Sequence, residues 1–283
     1  MNKIDKNISS LIAYALKEDV RTGDITTNAT ISKSKKAAGK FLIKADGIIS
    51  GLEIAKSVFK TVDPKIKFEI KIKDGSKVKS GDIAAVVTGK AQSLLTAERT
   101  ALNFLQRMSG IATSANIYSE KINHTKAKVI DTRKTVPGLR ALDKLAVKLG
   151  GCNNHRVGLY DMFLIKDNHI EVAGSITKAV EACVRYNKKH HKKFKIEVET
   201  KNLIEVEEAL KTKADIIMLD NFEVNEMKKA VNLINGKCKV EASGGVNLDT
   251  IKSIAETGVN YISVGALTHS VKALDISLEI SLK

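Results

Sequence analysis

The chain has 283 residues, 43% hydrophobic, 28% charged and only 4% aromatic, with a formal net charge of +15. That is the profile of an ordinary globular protein, long enough to call for one large barrel or two domains. There is no apolar run of about 18 residues to span a bilayer, "MNKIDKNISS" lacks a signal-peptide core, and Cys152, Cys183 and Cys238 have no CxxC spacing, which together argue for a cytoplasmic protein without a disulfide frame or zinc site.

The first hundred residues mix helix and strand signals. "NISSLIAYALKEDV" places Ile8, Leu11, Ile12, Ala15 and Leu16 at helical spacing. "GKFLIKADGIISG", "IKFEIKIKDG" and "IAAVVTG" read as strands closed by glycine or Asp-Gly turns. From Ala91 to Gly110 a strongly amphipathic helix is expected, with Leu94, Leu95, Ala101, Leu102 and Leu105 on one face and Arg99 off it.

From about Lys126 the rhythm changes. Apolar runs closed by a polar residue or glycine recur: "KVID-TRK", "MFLIK-DNH", "KIEVE-T", "DIIML-DN", "KVEA-SGG" and "YISV-GA". Each is followed by a helical stretch, the cadence of βα units around a parallel sheet or barrel. Six strands are clear and a seventh is possible. The expected fold is therefore α/β, an incomplete barrel of about six or seven strands at residues 111–269, with an N-terminal α+β sandwich domain at 1–110 joined by the tail 270–283.

In such barrels the functional groups sit at the C-terminal strand ends and in the loops after them. Arg133, Lys134, Lys166, Glu199, Asp220, Ser243 and Gly265 all fall there. Lysine is scattered along the chain and no helix-turn-helix, RNA-recognition or zinc-finger pattern occurs, so the net charge reads as a solvated surface rather than a nucleic-acid interface. Arginine is different. Only seven are present, and Arg99, Arg107, Arg133, Arg140 and Arg156 crowd into residues 99–156. A guanidinium binds a carboxylate or phosphate through two parallel hydrogen bonds, which a lysine cannot imitate. Helix-surface salt bridges would account for Arg107 and Arg140, and the rest suit a small anionic ligand.

"SGG" at 243–245 and "VGA" at 264–266 put glycines after the last two strands, where backbone N–H groups can approach a phosphate. Glu199 and Asp220 among so many cations are salt-bridge partners, or ligands of ribose hydroxyls and Mg²⁺. His155 and Arg156 stand just ahead of a barrel strand. Lys166 reads equally as an anion ligand or as a Schiff-base nucleophile, and His190 and His191 lie in a solvated loop.

The stretches "EDVRTGDITT", "ADGIISGLEIA", "TAERTALNFLQRMSGIAT", "DTRKTVPGLRALDKLAVKLGG", "NHRVGLYDMFLIKDNHI", "IEVET", "IIMLDN", "EASGGV" and "ISVGALTHSVKALDISLEI", in this order, closely resemble the quinolinate phosphoribosyltransferases. Cys152 replaces a frequent third glycine and Val136 a usual threonine. The resemblance implies conversion of quinolinate and phosphoribosyl pyrophosphate to nicotinate mononucleotide, pyrophosphate and CO2. It also implies that Arg133, His155, Arg156 and Lys166 hold the quinolinate carboxylates, with Arg99 supplied by a neighbouring subunit of a homodimer or hexamer. Lys134 would face the pyrophosphate, Glu199 and Asp220 the ribose and Mg²⁺, and Ser243, Gly244, Gly265 and His269 the phosphate. Rival readings are a molybdenum-locus homologue of the same fold, a non-decarboxylating nicotinate phosphoribosyltransferase, and a Lys166 aldolase.

Overall fold

The computed structural model describes residues 6–282, which form two compact units. The first comprises residues up to 116, 136–151 and those from 270 onward, and the second 117–135 and 152–269. The division departs from the expected boundary by drawing residues 111–116 and 136–151 into the first unit.

In the first unit, helices α1 (Lys6–Val20) and α2 (Ile25–Thr30) precede strand β1 (Lys36–Ile43) and the short strand β2 (Gly47–Ile48). Helix α3 (Leu52–Val62), strands β3 (Lys67–Ile70), β4 (Lys77–Val78) and β5 (Ile83–Lys90), and helix α4 (Ala91–Lys121) follow. The last strand of the chain, which becomes β12 (Ile276–Leu282), returns to this unit, giving an antiparallel sheet in the order β12-β1-β5-β3. Burial alternates along β1 because only one sheet face meets the core. On that face Phe41 of β1, Phe59 of α3 and Phe68 of β3 pack mutually, with ring centroids 5.5–5.9 Å apart. Helix α4 buries Leu94, Ala101, Leu102 and Leu105 as its spacing predicts, but continues eleven residues past the expected end at Gly110. Gly110 permits this unit's chain to pass closely, since a Cβ there would lie 2.2 Å from the Lys272 carbonyl.

Helix α5 (Arg140–Leu149) also belongs here, burying Leu142, Asp143, Ala146 and Val147. Arg107 is not a surface bridge along its own helix, as its position suggested. Its guanidinium grips the wholly buried Asp143 through two hydrogen bonds of 3.1 and 2.9 Å, a charge pair whose removal of one partner would leave the other stranded.

The second unit holds six parallel strands: β6 (Lys128–Ile130), β7 (Phe163–Ile165), β8 (Ile196–Thr200), β9 (Ile216–Asp220), β10 (Lys239–Ser243) and β11 (Tyr261–Ser263). Their order is β6-β11-β10-β9-β8-β7. Strand β8 and most of β9 are buried without alternation, as parallel strands covered on both faces must be. The covering helices are α6 (Asp167–Ala173), α7 (Ile176–Lys189), α8 (Leu203–Leu210), α9 (Val224–Ile234), α10 (Ile251–Ala255) and α11 (Ala266–His269). Ser175 and Asn202 cap α7 and α8 by accepting the Lys178 and Glu205 N–H groups. The incomplete α/β barrel is as expected, and among the described residues the possible seventh strand is reduced to one parallel bridge between Asn153 and Ile130. No helix among these residues is long and apolar enough to cross a membrane.

Candidate active site

A cleft of about 590 Å³ opens at the C-terminal strand ends of the second unit. It brings together Arg133, Lys134, His155, Arg156, Lys166, Glu199, Asp220, Ser243 and Gly244, nine of the residues singled out from the sequence. Gly265 and His269 sit beside Lys134 instead: a Cβ on Gly265 would lie 3.1 Å from the His269 ring and 3.2 Å from Lys134 Cδ. Arg99 is an exposed residue of α4 in the first unit and does not line this cleft.

Strand β6 delivers Asp131, wholly buried, to the cleft floor. Its two carboxylate oxygens accept hydrogen bonds from the His155 backbone N–H at 2.8 Å and the Asn154 side-chain amide at 2.7 Å, tying the loop after β6 to the one carrying His155 and Arg156. The Thr268 hydroxyl donates to the Lys134 carbonyl at 2.8 Å, which fixes the other end of the Arg133–Lys134 segment. A loop rich in cations is thereby tied at both ends.

Arg156 donates to the Met162 carbonyl at 3.3 Å, while its Nε is buried without a hydrogen-bond partner. Burial and the neighbouring Arg133 charge both push this guanidinium below the ordinary arginine range. An anion bound beside Arg156 would offset both the burial and the neighbouring charge.

Glu199 at the end of β8 accepts a hydrogen bond from the Lys166 ammonium at 2.6 Å. Asp220, ending β9, accepts from the Asn221 amide at 2.9 Å. The Asn221 side chain packs on Gly244, where φ is +91° and a Cβ would lie 2.1 Å from Asn221 Oδ1. Only glycine fits, and the SGG turn after β10 is fixed by both torsion and space.

Beneath the cations, His155 Nε2 lies 2.9 Å from Glu197 Oε2 on β8 and 3.5 Å from Glu241 Oε2 on β10. Strands two places apart both reach one ring nitrogen, so the sheet must curl around it. Burial opposes charging the ring, but the Glu197 hydrogen bond and the charges of both glutamates outweigh it and push His155 up to about 10. Burial, followed by the Glu241 charge, raises Glu197 above the usual carboxylate range. The Ser263 hydroxyl donates to the remaining Glu241 oxygen at 2.6 Å. Sequence reading missed Glu197, Glu241, Asp131 and Asn221. The signal for the first was period two: Glu197 shares the inward face of β8 with Glu199, and Glu241 that of β10 with Ser243.

Comparison with known proteins divides the chain near residue 110. Residues 24–109 match the model of the quinolinate phosphoribosyl transferase N-terminal domain, and residues 111–279 that of its C-terminal domain. A quinolinate phosphoribosyltransferase (decarboxylating) 1b of Nicotiana tabacum is 47% identical over 290 residues, covering 97% of this chain and 82% of that protein. The solved nicotinate-nucleotide pyrophosphorylase from Francisella tularensis is 40% identical with a TM-score of 0.94, covering 99% of this chain and 98% of that one. NadC from Streptococcus pyogenes is 37% identical with the same TM-score, over 100% of this chain and 99% of its own.

Proposed function

The chain belongs to the quinolinate phosphoribosyltransferase family, and from that premise we propose how its cleft divides two anionic substrates. The enzyme transfers the phosphoribosyl group of phosphoribosyl pyrophosphate to quinolinate with decarboxylation, giving nicotinate mononucleotide, pyrophosphate and CO2 in NAD biosynthesis. The observation that carries the division is the convergence of Arg133, His155 and Arg156 on one cleft. A rigid pyridine dicarboxylate, presenting two anions at fixed spacing, suits that cluster together with Lys166, which lines the same cleft.

Phosphoribosyl pyrophosphate fits the other side. Ser243 and Gly244 offer the turn after β10 to its 5′-phosphate, with Gly265 and His269 completing the cradle, and Lys134 reaches the pyrophosphate. Glu199 and Asp220 face the ribose, where their carboxylates stabilise positive charge developing at C1′. The same pair of hard oxygen donors fits Mg²⁺ arriving with the pyrophosphate, since this ion is usually held by one or two carboxylates plus substrate oxygens. When bound, it would offset charge on the departing pyrophosphate. These side chains otherwise act by holding the pyridine nitrogen in line with C1′. Once that nitrogen is ribosylated it becomes an electron sink for the electron pair left at C2 as CO2 departs, and that carbon then takes a proton from water to give nicotinate mononucleotide.

The working unit is a homodimer, or a hexamer built from it, with Arg99 of one subunit serving the cleft of another. Its exposure on α4, off the apolar face, supports this reading. A cytoplasmic location suits three cysteines that form no disulfide. The test supplies carboxyl-labelled quinolinate, phosphoribosyl pyrophosphate and Mg²⁺. Labelled CO2 and nicotinate mononucleotide should appear in equal amounts, each dependent on all three components. Turnover of nicotinate in place of quinolinate, without CO2, would overturn the assignment.

A further inference from the structure

The catalytic reading uses His155 but leaves two buried glutamates unexplained. Glu197 is fully buried and Glu241 nearly so, and neither has a role at the ribose or the phosphate. They come from different strands, yet both aim at His155 Nε2. Glu241 is in turn fixed by Ser263 of β11. The backbone of His155 is held separately by Asp131. Main chain and ring are thus anchored from three strands, β6, β8 and β10.

Such an arrangement is expensive to build. Two carboxylates are withdrawn from water, Glu197 Oε1 has no hydrogen-bond partner, and Glu241 Oε2 meets the His155 ring through a charge contact of 3.5 Å rather than a hydrogen bond. An apolar pair would hold the sheet as well without that desolvation. What an apolar pair cannot do is turn an imidazole, because ring orientation needs an acceptor at one nitrogen. A ring free to rotate would present its donors to the cleft only part of the time.

We propose that Glu197 and Glu241 are positioning residues that clamp the His155 imidazole through Nε2, presenting the ring to a quinolinate carboxylate beside Arg133 and Arg156. This rests on the assignment of His155 to quinolinate. The three side chains also have ligand atoms within 4.8 Å of one another, as a metal site would. A metal held there would replace the 2.9 Å His155–Glu197 hydrogen bond, so chelation separates that reading from the clamp.

The experiment measures KM for both substrates, and direct quinolinate binding by calorimetry, in His155→Ala, Glu197→Ala, Glu197→Gln, Glu241→Ala and Glu241→Gln enzymes. His155→Ala and both glutamate-to-alanine variants should raise the quinolinate KM about tenfold or more, with the phosphoribosyl pyrophosphate KM within twofold of wild type. Each glutamine variant keeps an acceptor oxygen at similar reach and should recover most of that loss. If an alanine variant fails to fold, its glutamine counterpart should still fold and show the small, quinolinate-only defect. If His155→Ala leaves the quinolinate KM unchanged, the underlying assignment of His155 fails. If His155→Ala raises it but the glutamate variants do not, the assignment stands and the clamp is refuted. Equal rises in both KM values, or a glutamine as damaging as the alanine, would also refute it, as would a stoichiometric metal that survives chelation in the wild type and is lost in Glu197→Gln.

Discussion

Lys166 Nζ lies 2.6 Å from Glu199 Oε2, so a cation assigned to one substrate and a carboxylate assigned to the other neutralise each other at the ends of the neighbouring strands β7 and β8. Lys166 is half exposed, so its ammonium is not stripped of water as a Schiff-base amine would be. Replacing Glu199 by Gln should separate the two roles. Loss of a preorganised charge at the ribose should lower kcat by about 10²-fold. The quinolinate KM should stay level or fall, because Lys166 is no longer shared. A rise in that KM matching the fall in kcat would show that the pair acts as one unit on quinolinate.

Arg133 tests fork geometry. Arg133→Lys preserves charge but loses the second parallel hydrogen bond, and a charge-assisted bond is worth about 1.5–3 kcal/mol. The quinolinate kcat/KM should therefore drop by about 10- to 100-fold, while stability in urea stays close to wild type. A near-normal kcat/KM would mean that only the charge matters at this position.

The SGG turn gives a prediction with an internal control. Gly244→Ala sets a Cβ against Asn221, 2.1 Å from its Oδ1 and 2.9 Å from its backbone nitrogen, at φ +91°. Gly138→Ala carries similar torsional strain, φ +81°, with nothing within 4 Å. Strain alone costs about 1–2 kcal/mol, so Gly138→Ala should lose that much stability in urea. Gly244→Ala should lose more, and should raise the phosphoribosyl pyrophosphate KM besides. Equal stabilities and an unchanged KM would dismiss the packing argument.

How the clamp under the cleft behaves with pH follows from the direction of the His155 shift. The folded chain holds the ring proton up to about 10, against 6.5 ordinarily, so it binds that proton more tightly than the unfolded chain. The stabilisation is complete below about 6.5 and is lost as pH rises through about 10. Glu197, also raised, binds its proton more tightly when folded and favours the same low-pH side. Urea unfolding at pH 7, 8, 9 and 10 should show stability falling more steeply in the wild type than in His155→Gln. Parallel slopes would mean that the ring is not charged in the folded state.

Most of the barrel was legible because each parallel strand is a short apolar run ending in a polar residue, and the rule that function gathers at those ends selects Arg133, Lys166, Glu199, Asp220 and Ser243. What the sequence concealed is the layer below. Glu197 and Glu241 lie inside apolar runs, and the only local sign that they face inward is their two-residue spacing from Glu199 and Ser243. Their partner, His155, is remote in sequence, with 42 residues separating it from Glu197. Helix α5 misleads for a related reason: it falls between two barrel strands in order, yet the Arg107–Asp143 pair ties it to the first unit.

Arg99 supplies the last test. It stands on α4 in the first unit, exposed and away from the helix's apolar face, whereas every residue lining the cleft belongs to the second unit. If each cleft is completed by the Arg99 of another subunit, Arg99→Ala and Lys166→Ala enzymes should each be nearly inactive as homodimers. A mixed dimer behaves differently. One of its clefts combines Lys166→Ala with a missing partner arginine, and the other has its own Lys166 and receives an intact Arg99. Statistical reassortment of equal amounts gives half mixed dimers, each with one good cleft of two, so activity should return to about a quarter of wild type. A cleft served by its own chain's Arg99 would be damaged in every combination. Activity that stays at the level of the separate variants, after native mass spectrometry has verified exchange, would therefore rule out the shared cleft.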